Sequence, residues 1–169
     1  DGVMSRGLGD VYKRQALGTS VRCSRRSLSS PGADLIFDST AGLIPTSSDL
    51  EGITHVLSTI PPTAEGHDPV LTHLGSQLKE RSLTWVGYLS TTGVYGDQQG
   101  RWVSEDDPAN PGQPRSQRRH ACEQAWLDSG LPVQILRLPG IYGPGRSVLE
   151  SLRAGKAPVS YTHLRAHET

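Results

Sequence analysis

The chain has 169 residues with 17 basic and 17 acidic side chains, a formal charge of zero, and 34% hydrophobic residues. That length supports one domain with a real core, and the balanced charge gives no electrostatic case for a nucleic acid or an anionic membrane as partner. No apolar run approaches the roughly 20 residues that cross a bilayer and no signal peptide precedes the first strand, so a cytoplasmic protein is expected.

Residues 1–15 show neither helical nor strand periodicity, and residues 159–169 break from the pattern before them. Both ends resemble translated adapter or read-junction segments and are set apart as non-native sequence, leaving residues 16–158 as the credible chain. Residues 20–24 read as a first strand, closed by Arg25, Arg26 and a turn-rich stretch to residue 32. Residues 33–38 are a second strand and 53–60 a third, stopped by Pro61 and Pro62, with at most one helical turn at 47–50 between them. Val70, Leu71, Leu74 and Leu78 recur at helical spacing and predict a helix over 69–81. Residues 83–90 form a fourth strand, and a polar, Pro-rich loop runs from 97 to 114. A helix over 116–129 follows, its inner face marked by Ala121, Ala125, Trp126 and Leu127 and its stop by Gly130. Residues 133–138 are a fifth strand, and 148–154 an amphipathic turn or two. Strands alternating with helical segments, each strand nearly continuous in apolar residues, argue for a doubly wound parallel sheet.

Cys23 and Cys122 lie far apart without metal-ligand spacing, as in a reduced intracellular protein. His120, His163 and His167 invite a metal reading, but two of the three fall in the suspect tail, and no metal site is expected.

Two blocks carry the chemistry. One is Leu89-Ser90-Thr91-Thr92-Gly93-Val94-Tyr95-Gly96-Asp97, the other Leu136-Arg137-Leu138-Pro139-Gly140-Ile141-Tyr142-Gly143-Pro144-Gly145-Arg146. Each reads as a buried strand emptying into a Gly-rich loop. Ligands of parallel α/β sheets bind where the carboxyl ends of strands open into such loops, so two on neighbouring strands predict one shared site.

The spacing and residue types of these blocks resemble the extended short-chain dehydrogenase/reductase superfamily, the nicotinamide-dependent epimerases and dehydratases. The resemblance spans residues 16–158 and implies a Rossmann-type doubly wound α/β sheet that lacks its first strand-turn-helix unit and its C-terminal substrate lobe. It implies NAD or NADP as cofactor, and hydride chemistry at a carbinol or carbonyl of a small molecule such as a nucleotide-linked sugar. A search for the Gly-rich phosphate cradle finds only Gly2, Gly7 and Gly9, at the wrong spacing and before no helix.

Residue by residue, the resemblance assigns a cofactor role to Arg25 and Arg26 at the second family strand's end. Arginines there suit a 2′-phosphate and favour NADP, while two solvated surface arginines explain them equally. Asp38 matches the position near the adenine amine, or is an ordinary turn aspartate. Thr59 and Pro61 stand where the family's loop passes the cofactor ribose, or simply terminate the strand. Thr91 takes the position whose hydroxyl polarises the reacting oxygen. Ser90 flanks it towards the cofactor and Thr92 towards the substrate, and Tyr95 is a packed or substrate-facing aromatic. Pro139 would abut the nicotinamide carboxamide and Arg146 would mark the substrate entrance.

One departure is plain. Aligned on Ala121-Cys122-Glu123, the family's catalytic tyrosine and lysine are replaced by Arg115 and Arg119. Arginine does not deprotonate in a protein and cannot serve as general acid or base, although Arg119 could still hold the nicotinamide ribose or an anionic substrate. The expected activity is therefore an NAD(P)-dependent oxidoreductase or epimerase using Thr91 and Arg119. The alternative is a dinucleotide-binding sensor or regulator that has kept the groove and lost the acid.

Overall fold

The computed structural model describes residues 20–29, 33–141 and 152–155. The two terminal segments read as non-native, and Arg146 with most of its loop, lie outside the described residues. Five strands appear in chain order: β1 (Ser24–Arg25), β2 (Leu35–Ile36), β3 (His55–Ser58), β4 (Trp85–Thr91) and β5 (Val133–Leu138). Every pairing is parallel. Parallel neighbours need a long crossover, and two are helical: α1 (Pro69–Lys79) joins β3 to β4 and α2 (Pro114–Leu127) joins β4 to β5.

Among the described residues the sheet is in two pieces, a β1–β2 pair and a three-stranded sheet in the order β3-β4-β5. One core nevertheless joins them, since Phe37, beyond β2, packs with Leu50, Val70, Leu74, Leu78, Val86, Tyr88, Cys122 and Trp126. Near-continuous apolar burial holds for β4, the central strand, where Val86, Gly87 and Tyr88 are all buried. It does not hold for β3, where His55 and Leu57 face outward and Leu57 is 49% exposed.

Local chemistry explains the helices. Asp68 caps α1, its Oδ1 accepting from the Leu71 amide at 2.9 Å, and Pro69 occupies the first turn, where no backbone donor is needed. Of the predicted apolar stripe of α1, Val70, Leu74 and Leu78 are buried and Leu71 is half-buried against the core. The inner face of α2 requires correction. Cys122, Glu123 and Trp126 are buried, whereas Ala121, Ala125 and Leu127 are exposed. Trp126, whose ring centroid lies 5.8 Å from that of Tyr88, sets the stripe, and one turn back that stripe reaches an acid. Burying Glu123 is tolerable because a guanidinium meets it. Gly130, at φ +76°, provides the expected left-handed stop. The first two strands are shorter than predicted, and the turn near residue 47 is a 3₁₀ helix, Ser48–Leu50.

Candidate functional site

β4 ends in three consecutive hydroxyls, and the fold gives each a different task. Ser90 is buried and its Oγ donates to Glu123 Oε1 across to α2. Thr91, the last residue of β4, caps a 3₁₀ turn (Thr92–Tyr95), its Oγ1 accepting from the Gly93 amide at 3.1 Å. Among the described residues the Thr91 hydroxyl donates to none, which leaves its proton available to a ligand. Thr92 begins the turn, half-buried. Gly93 is needed by its surroundings: a β-carbon there would lie 2.9 Å from Ser116 Oγ and 3.5 Å from Thr91 Oγ1. Ser116, in the first turn of α2, thus stands opposite Thr91 across this glycine.

Beneath the hydroxyls lies a buried ionic network. Glu123 is fully buried and is gripped by Arg137 of β5, Nε to Oε1 at 3.1 Å and Nη2 to Oε2 at 2.8 Å. His120 Nδ1 lies 3.3 Å from Oε2. Burial alone would push the Glu123 carboxyl up, but the hydrogen bonds from Arg137, Ser90 and His120 outweigh it and hold it below the usual carboxylate range. The same guanidinium sits 4.8 Å from the centroid of the buried Tyr95 ring. Tyr95 is thus a packed aromatic, and a polar strand residue, Arg137, ties two of the site's elements together.

Arg119 of α2 reaches the carboxyl ends of two strands. Its Nη1 donates to Ile60 O at 3.3 Å, Leu89 O at 3.2 Å and Tyr88 Oη at 3.1 Å. Burial pushes the Tyr88 phenol well above its ordinary range; Arg119 pulls the other way and does not prevail. Burial likewise raises the Cys122 thiol, which donates to Gly66 O at 3.3 Å and is not an activated nucleophile. Pro61, Pro62, Arg115, Arg118 and Arg119 line a cavity of about 160 Å³ between the loop after β3 and the start of α2.

The other predicted residues also lie at the carboxyl ends of their strands. Arg25 closes β1 half-buried, its Nη1 on Ser24 O at 3.0 Å, and Arg26 follows, exposed. Asp38 lies beyond β2, where its Oδ1 accepts from Thr40 Oγ1 at 2.6 Å and the Thr40 amide at 3.0 Å, an aspartate-stabilised turn. Thr59 and Pro61 follow β3 and Pro139 follows β5, all exposed. Cys23 and Cys122 are both free. Among the described residues no group of three or more His, Cys, Asp or Glu side chains is placed to hold a metal, and no helix is long and apolar enough to cross a membrane. Sequence reasoning assigned no role to Glu123, Arg137 or Ser116. The available signal was spacing: Glu123 stands four residues after Arg119 and three before Trp126, on one helix face.

No protein-family model matches the chain, and no curated protein matches it. Solved structures do. A conserved protein of unknown function from Silicibacter pomeroyi is 37% identical with a TM-score of 0.73, the match covering 89% of this chain and 54% of that one. A protein from Methylobacillus flagellatus, provisionally described as an NAD-dependent epimerase/dehydratase, is 28% identical with a TM-score of 0.65, covering 88% of this chain and 55% of that one. WbmG of Bordetella bronchiseptica, solved with NAD and UDP, is 17% identical with a TM-score of 0.63, covering 86% of this chain and 55% of that one, a likeness of fold alone. The chain thus spans about half the length of these solved proteins. Parallel strands, helical crossovers and these likenesses define the fold, a parallel α/β sheet with helical crossovers, and make the chain a relative of the Silicibacter pomeroyi protein of unknown function and similar to the Methylobacillus flagellatus protein.

Proposed function

We propose that the full-length protein binds a nicotinamide dinucleotide and acts as an oxidoreductase or epimerase on a carbinol or carbonyl of a small molecule, in the cytoplasm. One observation carries the reading. Thr91, whose hydroxyl donates to none of the described residues, stands at the carboxyl end of β4, the central strand of its sheet, beside the loop after β3 and the start of α2. The donor set suits such a cofactor: guanidinium groups of Arg25 and Arg26 match phosphate, and the hydroxyls of Thr59 and Thr91 match ribose and carbonyl oxygens. The paired arginines favour NADP over NAD. When bound, the nicotinamide supplies the hydride.

The chain's own residues orient and polarise. Thr91 donates to the reacting oxygen, Arg119 braces the ends of β3 and β4, and Thr92 borders the substrate side. Neither Arg115 nor Arg119 exchanges a proton, so that step falls to another group or to water. The supporting neighbours include WbmG with NAD and UDP and a protein, MoeE5, with UDP-glucose and NAD, which make a nucleotide-linked sugar the substrate class to try first.

Titrating the full-length protein with NADPH and NADH by fluorescence tests the reading. A saturable signal with either supports it, tighter NADPH binding lost on Arg26→Gln supports the 2′-phosphate role, and no binding of either sinks it. A second reading, a dinucleotide sensor without turnover, draws on Arg119 being committed to backbone carbonyls. Bound NADPH that no carbonyl panel oxidises would establish that version.

A further inference from the structure

We propose that the cavity between Pro61, Pro62 and the first turns of α2 is an oxyanion site, taking the carboxylate or phosphate group of a substrate. The claim that the anion belongs to a substrate rests on the functional reading above; the anion site is tested separately. Three arginines, Arg115, Arg118 and Arg119, line this one cavity. Among the described residues none of the three has a carboxylate within ion-pair distance, since the ion pairs present involve Arg101, His120 and Arg137. Glu65 and Asp68 feel Arg118 and Arg119 only at longer range. Three like charges around one cavity repel each other, and an anion between them removes that cost.

The cavity is preformed. Arg119 is pinned through Nη1 alone, and its Nε and Nη2 make no hydrogen bond to the described residues. The Arg118 stem packs against the loop at Gly66 (φ +93°), its Cγ 3.5 Å from where a β-carbon would stand, which is ordinary contact distance. The loop carrying the prolines is closed on itself by Thr63 N to His67 O at 2.9 Å and Gly66 N to Thr63 O at 3.1 Å. The amino end of α2 adds to the field: Gln113 provides no side-chain cap, and the helix dipole directs partial positive charge the same way. Size completes the description. About 160 Å³ has room for a carboxylate or phosphate with some water.

The experiment is calorimetric titration of the full-length protein with sodium phosphate and, separately, sodium acetate, at constant ionic strength. The proposal expects saturable binding of at least one anion, weakened about tenfold or more in the Arg115→Gln/Arg118→Gln double variant and unchanged in Arg101→Gln. Both substituted side chains reach solvent and brace no backbone, so folding should survive, and circular dichroism checks that it has. Preference for phosphate or acetate identifies the substrate group. No saturable binding, binding the double variant leaves intact, or equal weakening by Arg101→Gln overturns the site. NADPH titrated in parallel separates the two ideas: an anion bound without dinucleotide leaves the site standing and removes the cofactor reading, and the reverse removes only the site.

Discussion

The two pieces of the sheet differ in length, pairing and burial. β4 runs seven residues between β3 and β5, with Val86 and Tyr88 fully buried. β1 and β2 have two residues each, half-buried or exposed, beside an open groove of about 390 Å³ lined by Leu28, Leu35, Leu43 and Ile44 among others. The longer, more apolar strand is also the one paired on both sides and covered by α2, so its own residues and its neighbours work together to bury it. The piece with two-sided pairing also carries the ionic network and the hydroxyl that could act on a ligand, because only a supported strand end can hold a side chain in one geometry.

The comparison can be broken most sharply at Arg137. Replacing it with Met leaves the Glu123 carboxylate buried without its guanidinium, and the expected loss is about 3–5 kcal/mol in urea unfolding. A loss under about 1 kcal/mol would mean the network is not what holds β5 to α2. Next come paired core truncations. Leu78→Ala, at a residue 1% exposed, is expected to cost about 2–5 kcal/mol, and Leu35→Ala in the open pair well under that. Equal losses would erase the distinction between the pieces. Gly96→Ala places a β-carbon 2.1 Å from Asn110 O at φ +73°, which should cost about 1–3 kcal/mol and disturb the turn below Thr91. Among the smaller effects, Asp68→Ala removes the α1 cap and should cost about 1 kcal/mol.

Acid unfolding sharpens the picture further. The folded-state Glu123 carboxyl titrates below its ordinary value of 4.5, so its stabilising contribution is complete above that value and is lost as pH falls through the depressed one. Burial raises Asp68, so its contribution has the opposite sign, present at low pH and fading as pH rises. Urea midpoints measured from about pH 6 down to about pH 3 should therefore fall steeply in the native protein and more gently in Glu123→Gln. Identical slopes would show that another carboxylate governs the acid limb.

Much of this was legible in the residues. The stripe Val70, Leu71, Leu74 and Leu78 predicted α1 and, apart from the half-buried Leu71, its buried face, because apolar periodicity is a local property that packing merely uses. The span 133–138 was read to the residue, bounded by Pro132 and Pro139. The inner face of α2 was misread because small and apolar residues, Ala121, Ala125 and Leu127, were preferred over an acid. Nothing local says that Glu123 will meet Arg137 fourteen positions later. The hydroxyl run at 90–92 was visible as a candidate site. That Ser90 turns inward while Thr91 keeps its proton free depends on which face of the strand Glu123 approaches.

The sequence by itself determined the class, an alternation of strands and helices with Gly-rich loops at strand ends, since turn chemistry and hydrophobic period are written in neighbouring residues. Only the tertiary structure decided the charges. It buried one acid against Arg137 and left three arginines around a single cavity, because pairing between ions depends on distances that close only when α2 crosses the carboxyl ends of β3 and β4.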